Sequence, residues 1–215
     1  PTPSWFTLDS TNSITSTANL STLVKSKLIY ILTLIFAGEL IFALPFHIAR
    51  FFRPTLLHVF EFSNTQLGDI FAAYGVTAML SYFPGGTIAD RYSARGLMTL
   101  SLFATGLGGI YMATFPGELE MALLYAYWGV TTIFLFWGAL IKSTREWGGI
   151  LSQGKAFGIL DGGRGLIAAG FAVIAVAVFS SHLPDATLIV NNNRETGFRF
   201  VILLYSAATL GAGVI

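Results

Sequence analysis

Apolar residues run through the chain in six long stretches, which follow a polar N-terminal segment. Residues 1–26 contain twelve Ser and Thr side chains, and this composition predicts a disordered tail. The apolar stretches are Leu28–Phe46, Leu67–Ala89, Gly96–Phe115, Met121–Ile141, Ala156–Leu183 and Phe200–Ile215. A helix needs about 20 apolar residues to cross the hydrocarbon core of a bilayer. The pattern therefore predicts an all-α polytopic membrane protein, with a six-helix transmembrane domain over residues 27–215 that stops within its sixth helix.

The composition supports a bilayer as the solvent of this chain. Hydrophobic residues make up 54% of the 215 positions and charged residues 11%, whereas ordinary soluble domains carry about 25% charged residues. The net charge of +1 argues against nucleic acid as a partner. Because the chain has no Cys, disulfides and thiolate metal sites are excluded. We expect no cofactor and no metal, and the lipid bilayer as a partner.

Basic residues are distributed unevenly between the two sets of connections. Seven lie before the first stretch, between the second and third, or between the fourth and fifth: Lys25, Lys27, Arg91, Arg95, Lys142, Arg145 and Lys155. Four lie on the opposite side: Arg50, Arg53, Arg194 and Arg199. Positively charged loops stay in the cytoplasm. This distribution predicts an integral protein of a plasma membrane, the inner membrane of a bacterium, with its N-terminus in the cytoplasm.

The connection between the second and third stretches carries a motif. Residues 85–95 read GGTIADRYSAR, which contains the spacing G-x-x-x-D-R-x-x-x-R. Gly86 permits the close approach of another backbone, and Asp90 can accept hydrogen bonds from the N-terminus of a neighbouring helix. Arg91 and Arg95 lie where basic residues hold a loop in the cytoplasm. By themselves these residues also fit a simple tight turn with positive charge.

This loop, set after the second of six apolar stretches, resembles the signature loop of the major facilitator superfamily, with Ser93 in place of the usual second Gly. The resemblance implies a twelve-helix transporter made of two six-helix halves. This chain would be the N-terminal half, and the missing C-terminal half would be its partner. The resemblance also implies a group of residues that latches the cytoplasmic gate against the other half: Gly86, Asp90, Arg91 and Arg95.

Two short features are similar to the organic-anion exchangers of that superfamily, such as the organophosphate:phosphate antiporters. One is the segment Phe62–Gly68, which reads FSNTQLG, and the other is Lys142 followed five residues later by Trp147. Drug/proton antiporters of the superfamily carry an Arg in the fourth helix and a Gly-Pro kink in the fifth, and this sequence has neither. The resemblance implies a small organic anion as the substrate.

Three charged residues fall inside the apolar stretches: Glu39, Asp161 and Arg164. Each costs about 2.5–3.5 kcal/mol at the middle of a bilayer, so we expect them to face the bundle interior or a wet cavity. Asp161 and Arg164 share a helix face because they are three residues apart. Two interpretations stay open. The charges either form a salt-bridge cluster that ties the first helix to the fifth, or form a site in which Arg164 binds an anion or Glu39 carries a proton.

Five further residues are candidates for substrate or ion coupling. Arg50 is predicted to lie near the outer membrane surface and to snorkel there, unless a kink in the first helix brings it to the cavity. His47 follows a Pro by two residues and is either a packed residue or part of the cavity. Lys142 belongs to the anion-exchanger feature. Tyr125 and Trp128 share a helix face, which either packs or faces lipid, as most such aromatic residues do, or lines a cavity.

These features are compatible with functions of different classes. The first is a secondary active transporter that moves a small organic anion by alternating access, with intramembrane Arg side chains that hold the anion. The second is a proton-coupled symporter or exporter of another small molecule, in which Glu39 or Asp161 titrates. A six-helix membrane enzyme is disfavoured, because neither a His-x-x-x-His nor a Gly-x-Ser-x-Gly motif is present. A six-helix homodimer is disfavoured by the short sixth stretch.

Overall fold

A computed structural model of the protein describes residues 10–182 and 191–214. Over these residues the chain is helical apart from short turns, and it contains no strand. The predicted all-α class is therefore confirmed for the described part of the chain.

The helices, in chain order, are α1 (Ser10–Phe42), α2 (Ile48–Phe51), α3 (Arg53–Val59), α4 (Asn64–Arg91), α5 (Ala94–Met112), α6 (Glu118–Gly129), α7 (Gly138–Gly148), α8 (Gln153–Ser181) and α9 (Asn191–Ala212). Two π-helical segments join helices that follow one another directly. Ala43–His47 joins α1 to α2, and Val130–Trp137 joins α6 to α7, so that each pair forms one continuous rod.

The beginning of α1 differs from the predicted disordered tail over residues 1–26. Residues 10–26 are helical, while residues 1–9 lie outside the described part of the chain. Helix nucleation is costly but propagation adds one hydrogen bond for each residue ordered. The apolar run that starts at Leu28 supplies a packed helix, and the Ser- and Thr-rich segment continues it toward the N-terminus.

Side-chain caps explain where the helices of the motif region begin. In α4 the Ser63 hydroxyl accepts a hydrogen bond from the Gln66 backbone N–H at 3.2 Å, and the Gln66 side chain accepts one from the Ser63 N–H at 2.8 Å. In α5 the Ser93 hydroxyl accepts a hydrogen bond from the Gly96 N–H at 3.2 Å. Each cap satisfies backbone donors that a helix N-terminus otherwise leaves without partners. The Ser at the usual position of a second Gly therefore serves as the cap of α5.

Three helices of the described chain are long and apolar enough to cross a membrane: Val24–Phe51, Glu118–Gly148 and Gln153–Ser181. They contain the first and fourth predicted stretches, and the fifth as far as Ser181. The second, third and sixth stretches lie mainly in α4, α5 and α9, which fall below this level of apolarity. Gly and Thr residues lower the mean hydropathy of α5, Gly, Thr and Tyr residues lower that of α4, and charged residues lie near the start of α9. The count of six transmembrane helices stays a prediction.

Glycines bring α4 against the rod formed by α6, the π-helical segment and α7. A Cβ atom added at Gly129 would lie 2.6 Å from the Tyr74 carbonyl oxygen, and one at Gly138 would lie 3.1 Å from the Gly85 carbonyl oxygen. A Cβ at Gly85 would lie 3.3 Å from the Ile133 carbonyl oxygen. Small residues of this kind let helix backbones approach closely. Helix α4 and the rod formed by α6 and α7 are therefore in near-backbone contact at these three glycines.

The remaining helices enclose the same core with different degrees of burial. Helix α5 packs on α9, where a Cβ at Gly106 would lie 2.6 Å from Leu210, and α1 packs on α8, where a Cβ at Gly163 would lie 2.6 Å from Ile35. Helix α8 is the least covered helix of the described chain, since its buried residues are Ala156, Leu160 and Ala175. One long face of α8 is therefore open, and it is apolar over most of its length.

Candidate functional site

A buried network of charged side chains joins α1 to α8. Glu39 is 8% exposed. Its Oε2 accepts a hydrogen bond from Arg164 Nε at 3.1 Å, and its Oε1 is hydrogen-bonded to His47 Nε2 at 2.8 Å. His47 is 4% exposed. One carboxylate is thus shared between two partners, one on its own rod and one on α8.

The π-helical segment of the first rod explains how Glu39 and His47 meet. In a regular α-helix, residues eight positions apart are rotated from one another by about 80°, because eight residues make about 2.2 turns. The segment Ala43–His47 has the wider π-helical turn and contains Pro45, which has no N–H to donate. The wider turn reduces this rotation, so His47 lies on the face that carries Glu39.

Arg164 is oriented by contacts on several sides of its guanidinium group. Nη1 donates a hydrogen bond to Asp161 Oδ1 at 3.3 Å, in addition to the bond from Nε to Glu39. The guanidinium carbon lies 5.5 Å from the centre of the Phe42 ring and 6.0 Å from the Trp137 ring. Cation–π contacts at these distances favour a cation. The Arg164 side chain is 18% exposed, so one part of the group stays open to the neighbouring cavity.

An open cavity of about 420 Å³ borders this network. Its walls come from the first rod, from α4, from α8 and from the π-helical segment between α6 and α7. The lining residues are Glu39, Phe42, Phe46, His47, Arg50, Tyr74, Ala78, Tyr82, Ile133, Trp137 and Arg164. Two of them are permanent cations and one is a carboxylate, so without His47 the lining carries a net positive charge. The arrangement suits an anionic ligand with a ring or another flat body.

Aromatic side chains form most of the cavity wall and hold one another in place. The Phe46 ring packs edge-on against the Tyr74 ring with centres 4.9 Å apart, and Phe42 packs edge-on against Trp137 at 5.9 Å. The Tyr74 hydroxyl is hydrogen-bonded to the Thr132 hydroxyl at 2.8 Å. This bond links α4 to the π-helical segment at the cavity. The wall is therefore preorganised by contacts among its own residues.

Four of the predicted candidates come together at this cavity: Glu39, His47, Arg50 and Arg164. Asp161 reaches the network from the other side, through Arg164, and its own side chain is 68% exposed. Arg50 also lines this cavity, although the residue is exposed. On α8, the Arg164 side chain is thus largely buried at the cavity, whereas the Asp161 side chain is mostly exposed.

Lys142 does not line the Glu39 cavity, although it is a candidate for substrate or ion coupling. Its Nζ donates a hydrogen bond to the Ala89 carbonyl oxygen at 3.0 Å. Ala89 lies in the last turn of α4, where carbonyl groups have no partner within the helix. Lys142 thus caps the C-terminal end of α4, away from the buried charges.

The structure places Tyr125 and Trp128 in the packed core, which is the first of the two alternatives for these candidates. Both are fully buried. The Trp128 indole N–H donates to the Thr105 carbonyl oxygen at 3.1 Å, and the Tyr125 ring packs edge-on against Phe71 with centres 5.3 Å apart. Helix α6 packs against α4 at Gly129 and against α5 at Gly108. The helix face that carries Tyr125 and Trp128 is therefore turned toward α4 and α5. They act as packing residues at this position.

The four residues of the predicted gate motif do not share one environment. Gly86 and Asp90 line a cavity of about 380 Å³ together with Lys142 and Arg145. A Cβ atom at Gly86 would meet nothing within 4 Å, so the backbone there is open. Arg95 lines a separate cavity, and Arg91 is exposed. The first pair thus forms an open surface at the end of α4.

Sequence reasoning missed Tyr74 and Tyr82 as lining residues. They lie with Ala78 at intervals of four along α4, which places all three on one helix face. That spacing can be read from the sequence, but the sequence does not show whether this face of α4 packs against another helix or lines a cavity. Within the part of the chain that the structure describes, no group of three or more His, Asp or Glu residues is placed to hold a metal ion.

Comparison with known proteins gives relatives but no family. No protein-family model matches the chain, and no solved structure matches it significantly. Inner membrane protein YqcE of Escherichia coli (strain K12) is 32% identical over 180 residues, which are 84% of this chain and 40% of that protein. Inner membrane protein YihN of the same organism is 30% identical over 193 residues, which are 90% of this chain and 44% of that protein. The chain spans about two fifths of the length of these curated relatives.

These relatives bear on the location of the chain. Both are inner membrane proteins by name, and the described chain has three helices that are long and apolar enough to cross a membrane. The prediction of a membrane protein is supported by both findings. Transport, membership of the major facilitator superfamily and a cytoplasmic N-terminus stay predictions.

Proposed function

We propose that this chain forms one six-helix half of a secondary active transporter of the major facilitator type, which moves a small organic anion by alternating access. The observation that carries the proposal is the buried network of Glu39, His47 and Arg164 on the wall of an open cavity. Charged side chains inside membrane-spanning segments are costly, face the bundle interior or a water-filled cavity, and mark substrate and ion pathways.

The energetics of buried ion pairs favour a ligand site over a purely structural link between α1 and α8. A buried ion pair gains less from attraction than its removal from water costs, and apolar side chains of similar volume often replace such pairs without loss of stability. A link between α1 and α8 therefore does not require Glu39 and Arg164. Their position beside an open cavity is what a ligand site requires.

The charges of the cavity favour an anion. Arg164 and Arg50 both line it, and Glu39 is the carboxylate in the same lining. Arg can bind a carboxylate or a phosphate through two parallel hydrogen bonds. Because Glu39 already occupies Arg164 Nε, an incoming anion competes with this carboxylate for the guanidinium group. Release of Glu39 would then connect anion binding to the contact between α1 and α8.

The open face of α8 supports a second half as the partner of this chain. Asp161 lies eight residues after the start of α8, about 12 Å along a helix of 29 residues. Its side chain is 68% exposed, and lipid tails do not accommodate an exposed carboxylate at that depth. A protein surface that covers α8 would remove it from lipid. The cavity at Gly86 and Asp90 is a second open surface that a helix of the other half would fit.

Proton coupling is the second candidate function, and the hydrogen bond between Glu39 and His47 favours it. These two groups can both bind a proton, and they are joined over 2.8 Å. An anion that displaces Glu39 from Arg164 would leave the carboxylate with His47 as its remaining partner. Uptake driven by a pH gradient alone supports this mechanism, whereas uptake that requires an anion on the opposite side supports exchange.

The test uses the full-length protein that contains this chain, purified in detergent and reconstituted into liposomes. The probes are inorganic phosphate, glycerol 3-phosphate, a hexose phosphate and a dicarboxylate, with an uncharged hexose as the control. We expect one of the anions to raise the thermal unfolding midpoint and to be taken up, and the hexose to do neither. Preference for the hexose, or uptake of the anion that is unchanged in Arg164→Ala, would overturn the proposal.

A further inference from the structure

A second cavity, separate from the Glu39 cavity, lies between α1, α5, α7 and α9. Its volume is about 370 Å³, within the range of about 300–1,000 Å³ that is typical of ligand pockets. It shares no lining residue with the Glu39 cavity. We propose that this cavity binds an anionic phospholipid of the surrounding bilayer, with its headgroup at Arg95 and an acyl chain along α1 and α5.

The polarity of the cavity changes from one end to the other. Two exposed residues lie at one end of the cavity: Ser26 on α1 and Arg95 in the first turn of α5. Leu34, Ala37 and Leu102 lie further along the same two helices and are buried. Ala37 is eleven residues past Ser26, about 16 Å along the helix. A polar mouth and a long apolar floor match an amphiphile, not a compact polar solute.

The cavity opens sideways, on the surface that lipid would cover. Ile29 is 63% exposed and Tyr30 is 44% exposed, and both line the mouth. Neighbouring apolar side chains of α1 are also exposed, including Leu28 and Leu32. An acyl chain can therefore enter directly from a bilayer.

The charge at the mouth selects the headgroup. Among the described residues that line this cavity, Arg95 carries the charge and none is a carboxylate. Arg binds phosphate through paired hydrogen bonds. One Arg directly beside an anionic headgroup contributes about 1 kcal/mol of attraction. An anionic headgroup is therefore favoured over a zwitterionic one.

The inference does not rest on the proposed transport function. It requires that the protein lies in a bilayer, and lipid binding is measured without any substrate. If the transport experiment fails, the lipid site is unaffected, and if the lipid site fails, the Glu39 cavity is unaffected.

The test is native mass spectrometry of the full-length protein after incubation in nanodiscs of phosphatidylglycerol and phosphatidylethanolamine, equimolar and with matched acyl chains. We expect the wild-type protein to retain phosphatidylglycerol preferentially. Arg95→Ala is expected to lower this retention about fivefold, which corresponds to the loss of one Arg near a lipid headgroup. Lys155→Ala, an exposed basic position at the same end that lines none of these cavities, is the matched control and is expected to retain as much as wild type.

Two variants test the apolar floor independently. Thr33→Phe and Thr99→Trp add a large side chain at half-buried lining positions, and both are expected to lower the retention of both lipids. Either one suffices if the other does not fold, as judged by its unfolding midpoint and elution profile. The proposal is overturned if wild type shows no headgroup preference, if Lys155→Ala lowers retention as much as Arg95→Ala, or if the folded filling variants retain as much lipid as wild type.

Discussion

His47 Nε2 lies 2.8 Å from Glu39 Oε1, although the two residues are eight positions apart on one rod. The other oxygen of the same carboxylate accepts a hydrogen bond from Arg164, which lies 125 positions further along the chain. Glu39 therefore connects the π-helical segment of the first rod to α8.

Removal of the Glu39 charge is expected to destabilise the protein. In Glu39→Gln the half-buried Arg164 guanidinium loses its closest counter-charge and keeps Asp161 as its remaining ion partner. We expect a decrease of about 1–3 kcal/mol in the free energy of unfolding, measured by denaturation in detergent.

The control for Glu39→Gln is a surface pair of similar composition. Arg199 Nη2 donates to Glu195 at 3.0 Å, and both side chains are 47% exposed. Glu195→Gln is expected to change the unfolding free energy by less than about 1 kcal/mol. Equal effects of the two substitutions would contradict a special role of the buried carboxylate.

Arg164 is expected to be required for anion uptake but not for membrane insertion. Arg164→Ala should abolish uptake in proteoliposomes while the protein is still found in the membrane fraction. In Arg164→Lys the charge remains, but a single ammonium group cannot reproduce the separate bonds to Glu39 and Asp161 or the contact with the aromatic rings. We expect the uptake rate of this variant to be at least about tenfold lower than that of the wild type.

Arg199→Ala is the matched control for the Arg164 variants. Arg199 also contacts an aromatic ring, since its guanidinium carbon lies 4.8 Å from the centre of the Phe115 ring. It lines none of the cavities described above, so uptake is expected to stay near the wild-type level. Loss of uptake in Arg199→Ala would show that removal of any Arg inactivates the protein.

The contact between α4 and α6 predicts different effects for two glycines. In Gly129→Ala the new methyl group would meet the Thr77 hydroxyl and would lie 2.6 Å from the Tyr74 carbonyl oxygen. We expect a loss of about 1–3 kcal/mol from overpacking. Gly75→Ala adds the same group where nothing lies within 4 Å, and the better helix propensity of Ala is expected to stabilise α4 by about 0.5–1 kcal/mol. Unfolding midpoints in detergent compare the two, and a Gly129→Ala protein as stable as wild type would refute the close contact.

Two aromatic residues of α6 are expected to affect stability but not uptake. Trp128→Phe removes the indole N–H that donates to the buried Thr105 carbonyl oxygen, so a loss of about 1–3 kcal/mol is expected. The buried Tyr125 hydroxyl has no hydrogen-bond partner among the described residues. Tyr125→Phe is therefore expected to be neutral or stabilising. If uptake falls in either variant while the protein is still folded, the residue concerned contributes to the ligand site and this prediction is wrong.

The positions of the helices followed closely from the pattern of apolar residues. Each predicted stretch lies largely in helix wherever the structure describes it, because a long apolar run in a membrane protein satisfies its backbone most simply as a helix. The ends of helices were less predictable. Helix α9 begins at Asn191, nine residues before the predicted Phe200, and α1 continues into the polar N-terminal segment. Polar residues can extend a helix that an apolar segment already stabilises.

The candidate charges could be selected from the sequence, but their partners could not. Glu39, Asp161 and Arg164 stand out because charge is costly inside an apolar stretch. The bond between Glu39 and Arg164 depends on the packing of α1 on α8, which no local pattern contains. The pairing of Glu39 with His47 depends on the π-helical segment, since a regular helix would rotate the two side chains apart.

Local chemistry thus accounts for the helical class, the membrane character and the short list of buried charges, because all three follow from hydropathy over neighbouring residues. The packing of the helices decides which of the candidate residues lie in the core and which line a cavity. Close glycine contacts turn Tyr125 and Trp128 into the core, Arg50 lines the same cavity as Glu39, and Arg95 and Asp90 line different cavities. Such relations join residues that are distant in the chain, so they exist only once the helices have packed.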